Sequence, residues 1–209
     1  LVRSRGLGDV YKRQSLSSSN TLLDSVVAHI RQRSGKMMRP ILVLLVARLY
    51  GVVSPATLHA AVSLELLHNA SLVHDDVVDE STERRGQLSV NAIFNNKVAV
   101  LTGDYLLATS LVHAELTNSH QIIRLVSSLG QDLADGELLQ LSNVSNHSFS
   151  ETVYFDVIRK KTAALFAACT EAAAYSVGVS EEEVKLARLL GEYIGCLLYT
   201  SPSPRDRTR

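Results

Sequence analysis

Apolar residues recur at three- and four-residue spacing through almost the whole interior of the chain, and that rhythm predicts helix after helix. A first amphipathic segment covers about Asn20–Arg33. Pro40 can open a second, because its missing N–H is harmless at the first helical position, and Gly51 is placed to end it. Ser54-Pro55 repeats the start signal as cap and first residue, and the helix that follows should run to about Glu80. Further segments are expected near residues 90–118, 120–144 and 151–178. Ser148 with Glu151, and Ser180 with Glu183, have the spacing of capping boxes ahead of two of the later helices. The polar stretch Ser142–Ser150 reads as the one longer loop. No stretch alternates convincingly over strand length, so the expected fold is all-α.

Composition agrees. Ala, Leu and Val dominate, tryptophan is absent, and the 209 residues suit one domain or most of one. The longest apolar runs, such as Ile41–Ala47, are too short for a transmembrane segment. No basic-then-apolar leader with a small-residue cleavage site is present, so secretion is not indicated. Cys169 and Cys196 lack metal-like spacing and read as reduced thiols of a cytoplasmic protein.

The formal charge of zero hides a division. Residues 1–14 and 197–209 are basic, and without them the body carries 14 Lys/Arg against 19 Asp/Glu, a net of −5. An acidic body offers no nucleic-acid surface. The two ends, LVRSRGLGDVYKRQ and LLYTSPSPRDRTR, lack apolar periodicity and resemble peptides read from translated sequencing-adapter DNA. Residues 1–14 and 197–209 are therefore expected to be non-native tails around a domain of residues 15–196.

Candidate chemistry concentrates in residues 68–86, HNASLVHDDVVDESTERRG. At about 100° per residue, Asp79 lies only about 40° around a helix from Asp75 and roughly 6 Å further along, with Asp76 beside them. Crowded carboxylates of this kind suit Mg²⁺, which keeps several waters and shares its shell with phosphates. Arg84 and Arg85 offer planar donor forks for phosphate oxygens. Upstream, Ser71 and His68 fall within about 40° of the Asp75 direction, and Leu64 continues the stripe. An ordinary surface helix would pair such acids with Lys at four-residue spacing, and none is present. The bland reading, a solvated acidic helix end, is also wrong for the helix dipole.

Two more pieces carry cations. Gly35-Lys36-Met37-Met38-Arg39-Pro40 sets Lys36 and Arg39 at a glycine-to-helix junction, where backbone N–H groups favour anions, although the spacing is not that of a nucleotide P-loop. Arg159-Lys160-Lys161-Thr162 opens an otherwise apolar helix. Alone, the first is more often a basic loop than a binding site, and the second more often a solvated helix edge. His74 and His113 are expected to be structural or supporting groups, since nothing pairs either with a nucleophile.

In order and spacing these pieces resemble the trans-prenyltransferases, the all-trans polyprenyl diphosphate synthases. The resemblance rests on GKMMRP, LLHNASLVHDDVVDESTERRG, GDYLLA at 103–108, GELLQLS at 136–142 and RKKTAALF, and covers about residues 20–195. It implies a bundle of mostly antiparallel helices around a central cavity, in the isoprenoid synthase manner, usually as a homodimer. It further implies that Asp75, Asp76 and Asp79 hold Mg²⁺ against an allylic prenyl diphosphate that Arg84, Lys161 and Thr162 also contact. Lys36, Arg39, His68 and Arg85 would hold the diphosphate of isopentenyl diphosphate.

Ala70 and Ser71 match positions where bulky groups stop elongation. Small ones there imply a medium- or long-chain product. The chain departs from the family after Gly195, where no second aspartate-rich motif follows. This polypeptide is therefore expected to be incomplete at the C-terminal side of the bundle and to have little or no activity. Two alternatives stand beside this reading. One is a class I terpene cyclase, disfavoured by the isopentenyl-like site and the absence of tryptophan. The other is a non-catalytic prenyltransferase-like subunit, disfavoured by the intact first motif.

Overall fold

The computed structural model describes residues 16, 19–32, 37–84, 86–146 and 163–200. Among them are eight helices: α1 (Thr21–Gln32), α2 (Met38–Tyr50), α3 (Pro55–Val78), α4 (Val90–Phe94), α5 (Asn96–Glu115), α6 (His120–Asn146), α7 (Ala164–Val177) and α8 (Glu181–Thr200). One hairpin interrupts them, β1 (Glu83–Arg84) antiparallel to β2 (Gln87–Leu88), with Glu83 opposite Leu88 and Arg84 opposite Gln87. The expected all-α class is what the chain adopts. Among the described residues no helix is long and apolar enough to cross a membrane.

The helix ends follow the cap chemistry. Ser54 Oγ accepts from the Thr57 amide at 3.2 Å while the Ser54 amide donates to Thr57 Oγ1 at 3.2 Å, a closed capping box. At α8 the Ser180 amide donates to Glu183 Oε2 at 3.0 Å and the Glu183 amide returns to Ser180 Oγ at 3.3 Å. Pro40 is the third residue of α2 rather than its first. The position costs nothing, because the first amide to find a helical partner is that of Ile41, donating to Met37 O. α6 reaches Asn146 and takes in the first part of the polar stretch expected to be a loop, since no Gly or Pro interrupts it. α8 continues past Cys196 to Thr200. The Ser148–Glu151 pair lies outside the described residues.

The segment expected as one helix over 90–118 is two. Asn95, at φ 81°, donates its amide to Asn91 O at 2.9 Å, closing α4, and accepts from the Val98 amide at 3.1 Å through its side chain, opening α5. The short side-chain amide caps the helix that follows while the backbone amide closes the one before, so one residue serves two helix ends.

α3 is the axis of the structure. All eight residues from Ala60 to Leu67 are buried, so the helix is enclosed on every side there. One apolar cluster lies on one flank, with Val43 and Ala47 of α2, Leu64 and Leu67 of α3, Ile122 and Val126 of α6, and Leu165 and Ala172 of α7. A second lies on the other, with Val26, Val27 and Ile30 of α1, Leu66, Ala70 and Val73 of α3, and Leu106 of α5. α5 runs antiparallel to α3, as three cross-contacts show: His59 with His113, Ser63 with Ser110, and His74 with Val100. α8 packs closely on α7, where a β-carbon at Gly191 would stand 2.5 Å from Phe166 O and 2.7 Å from Ala167 Cα.

The His59–His113 contact carries a pH signature. Their Nδ1 atoms are 3.0 Å apart, so one donates and the other accepts. Burial, reinforced by neighbouring His59, pushes His113 down to about 4 from its ordinary 6.5. The unfolded chain thus takes up a proton near pH 6.5 that the folded chain refuses until about pH 4. The stabilisation is complete above pH 6.5 and is lost as pH falls toward 4. Unfolding by urea at a series of pH values, compared between the native sequence and His113→Gln, should show a difference of up to about 3 kcal/mol that vanishes at the acid end.

Candidate active site

The acidic residues occupy the last turn of α3, and the backbone keeps the turn intact: the Asp79 amide donates to Asp75 O at 2.8 Å and the Ser81 amide to Asp76 O at 2.9 Å. Asp75 is half-buried and Asp79, the C-terminal cap, is exposed. Because they are a turn apart they share one face. Asp76 does not share it. It is fully buried, and its Oδ1 accepts from Arg84 Nε at 2.5 Å.

The hairpin explains how Arg84 gets there. Gly86 sits at φ 77°, a backbone that disfavours any side chain, and makes the tight turn that brings β2 back beside β1. Asn91 then ties the segment to the helix, donating to Asp76 O at 3.2 Å and to Ser81 O at 3.1 Å, while Ser89 Oγ donates to Ser81 O at 2.7 Å. Arg84 is about a quarter exposed, with its Nε held by Asp76.

Other expected site residues fall on the same side of the bundle or away from it. His68 is half-buried two turns above Asp75, and Ser71 between them donates its hydroxyl to His68 O at 2.9 Å. Ala70, by contrast, is buried among Leu66, Val73 and Leu106, in the cluster toward α1 and α5. Arg39, half-buried, lies over the Phe166 ring with its guanidinium carbon 5.3 Å from the centroid. Lys36, Arg85, Lys161 and Thr162 lie outside the described residues.

Glu65 escaped the sequence reading. It is buried in α3, one turn before His68, with a single signal: a carboxylate inside an otherwise apolar run, SLELL. It and Arg39 both bear on Cys169, whose thiol is pushed up to about 12 by burial, against the pull of Arg39 and with the repulsion of Glu65. A cation from α2 and an anion from α3 are thus brought near the same point of α7.

The donors suit a hard divalent ion as a partial shell. Asp75 and Asp79 present carboxylate oxygens on one face, and among the described residues no group of three or more His, Cys, Asp or Glu is placed to hold a metal alone. Water and phosphate oxygens would have to complete the coordination, which is how small hard cations bind beside diphosphates.

The polyprenyl synthetase family profile matches residues 20–198. The chain belongs to that family. Octaprenyl diphosphate synthase of Haemophilus influenzae is 37% identical to it over 180 residues, taking in 86% of this chain and 55% of its own. Among solved structures, geranylgeranyl pyrophosphate synthase from Bacteroides thetaiotaomicron is 76% identical at a TM-score of 0.75, over 86% of this chain and 56% of that one. A polyprenyl synthase from Caulobacter crescentus, solved with calcium and isoprenyl diphosphate, superposes at a TM-score of 0.90 with 31% identity, over 94% of this chain and 60% of that one. The chain thus spans little more than half the length of the curated relatives it matches.

The inward ion pair makes the three aspartates unequal. Asp76→Ala would strand a half-buried guanidinium and is expected to lower the unfolding free energy by about 3 kcal/mol. Asp79→Ala, at an exposed cap, should change it by less than about 0.5 kcal/mol. Urea unfolding followed by circular dichroism measures both; equal losses would contradict the inward placement of Asp76.

Proposed function

We propose that this chain is the N-terminal part of a prenyltransferase that condenses isopentenyl diphosphate with an allylic prenyl diphosphate to give a medium- or long-chain all-trans polyprenyl diphosphate. The observation that carries the reading is the pair Asp75 and Asp79, stacked on one face at the end of a buried helix beside an arginine whose orientation is fixed. Relatives named for octaprenyl and nonaprenyl products support it. In this reading Asp75 and Asp79 hold Mg²⁺, with Asp76 serving the same centre through Arg84. Mg²⁺, when bound, neutralises diphosphate charge and so stabilises it as a leaving group.

The chain's own residues account for the rest. Arg84, with Lys161 and Thr162, grips the allylic diphosphate. Lys36, Arg39, His68 and Arg85 grip that of the second substrate, and Phe166 under Arg39 keeps the guanidinium in place. Departure of diphosphate breaks the allylic C–O bond, the isopentenyl alkene attacks the cation, and loss of a proton leaves a chain longer by one unit. The apolar surroundings must exclude water, which would capture the cation. The active form is taken as a cytoplasmic homodimer. Residues 1–14 and 197–209 are taken as non-native tails flanking the domain of residues 15–196.

Binding tests the reading directly. Isothermal titration of the 209-residue chain with farnesyl diphosphate should give heat that depends on Mg²⁺ and that Asp75→Asn with Asp79→Asn abolishes; metal-independent binding, untouched by the double variant, would overturn it. Turnover of farnesyl and isopentenyl diphosphates by this chain alone should be slight, because it has no second aspartate-rich motif.

Product length is the property on which the relatives' names differ, the 76% identical one being named for geranylgeranyl pyrophosphate. In an active protein carrying this sequence, Ser71→Phe should shorten the products seen by chromatography. Ala70→Phe should instead overfill the α1–α3–α5 cluster and cost about 1–3 kcal/mol of stability. Unchanged length in the Ser71 variant would remove Ser71 from the elongation path.

A further inference from the structure

We infer that His74 is a positioning residue: seated on α5, it fixes where Asp75 stands. The inference rests on the proposed metal role of Asp75 and Asp79. His74 directly precedes Asp75, and its ring reaches from α3 to α5, where it lies against Gly103. A β-carbon at position 103 would come within 2.5 Å of His74 Cδ2 and 2.9 Å of Cε1, and closer still to Nε2. Only glycine leaves room for the ring. Gly103 is buried and helical, so close approach rather than backbone freedom is the reason for it there.

The ring also meets polar partners on α5. Nε2 lies 3.3 Å from the Val100 carbonyl oxygen and 3.3 Å from Asp104 Oδ1. Both are acceptors, and the tautomer with its hydrogen on Nε2 donates to them. Asp104 is well exposed, which makes the bond to it weak, so the bond to the Val100 carbonyl and the contact with Gly103 together form the seat.

This seat adds to the hairpin contacts of Asn91 in holding the last turn of α3. Val78, Asp79 and Glu80 are exposed, and the chain leaves the helix through Glu80 at φ 48°. The two residues that flank Asp75 in sequence are the ones tied down: His74 to α5 on one side, and Asp76 to Arg84 on the other. Asp75 therefore stands between two anchored neighbours, which hold the stretch of backbone from which its carboxylate projects. The Asp76 anchor is an ion pair inside the site; the His74 anchor lies on the opposite flank.

The experiment uses the 209-residue chain, with Mn²⁺ as a paramagnetic probe in the presence of inorganic pyrophosphate and with amide hydrogen exchange at Asp79 and Ser81. His74→Phe keeps an aromatic ring and removes the donor; His74→Gln restores an N–H; Gly103→Ala displaces the ring. His74→Phe and Gly103→Ala should weaken Mn²⁺ binding by about tenfold, the size such supporting contacts have at metal sites, and speed exchange at both amides. His74→Gln should recover part of the affinity. Unchanged Mn²⁺ affinity and unchanged exchange in His74→Phe would overturn the inference. If Asp75→Asn bound Mn²⁺ as well as the native sequence, the metal reading would fail instead, and the exchange rates would still decide whether His74 holds the turn.

Discussion

The enclosure of α3 is the constraint from which the rest of the structure follows. Its middle is buried on every side, so it can neither rotate nor slide without exposing one of two apolar clusters. α5 lies along it in the opposite sense, pinned where Ser63 donates to Ser110 O at 2.8 Å in the buried interior. A helix held this firmly delivers its last turn to a fixed place. The polar residues there cannot relax by moving the helix, so each must find its own solution in side-chain contacts.

Three neighbouring acids find three solutions. Asp76 turns inward and meets Arg84, Asp75 stays half-buried at the rim, and Asp79 caps the helix in the open. A hairpin with Gly86 at its turn is what lets an arginine only eight residues further on reach back to the helix. The acids and the cation thus belong to one folded unit of helix end and hairpin. This is a more specific arrangement than a row of like charges, because one of the three is neutralised by an arginine.

Much of this was legible in the sequence, and what was not has physical causes. The caps at Ser54 and Ser180 could be read because side-chain-to-backbone bonds of that kind depend only on local spacing. The α3 acids could be placed on a common turn for the same reason. The inward turn of Asp76 could not, because about 100° of rotation separates it from Asp75 and only the neighbouring hairpin decides which way is inside. Ala70 and Ser71, adjacent in sequence, face a core and a rim respectively for the same geometric reason. The break at Asn95 was hidden because apolar spacing continues across it; its trace was the polar pair Asn95-Asn96. Glu65 was invisible as a site residue because burial is a property of the assembled bundle.

The two cysteines show how far packing can separate identical chemistry. Cys169 is sealed between α2, α3 and α7 with its thiol pushed up to about 12, whereas Cys196 lies partly open on α8. Thiolate is the reactive form, so at neutral pH the first is chemically silent toward alkylating reagents while the fold is intact. The folded molecule consequently behaves as though it had one sulfhydryl. A single fluorophore or spin label would settle at Cys196 without mutagenesis, and delayed modification at Cys169 would serve as a clock for opening of the interior.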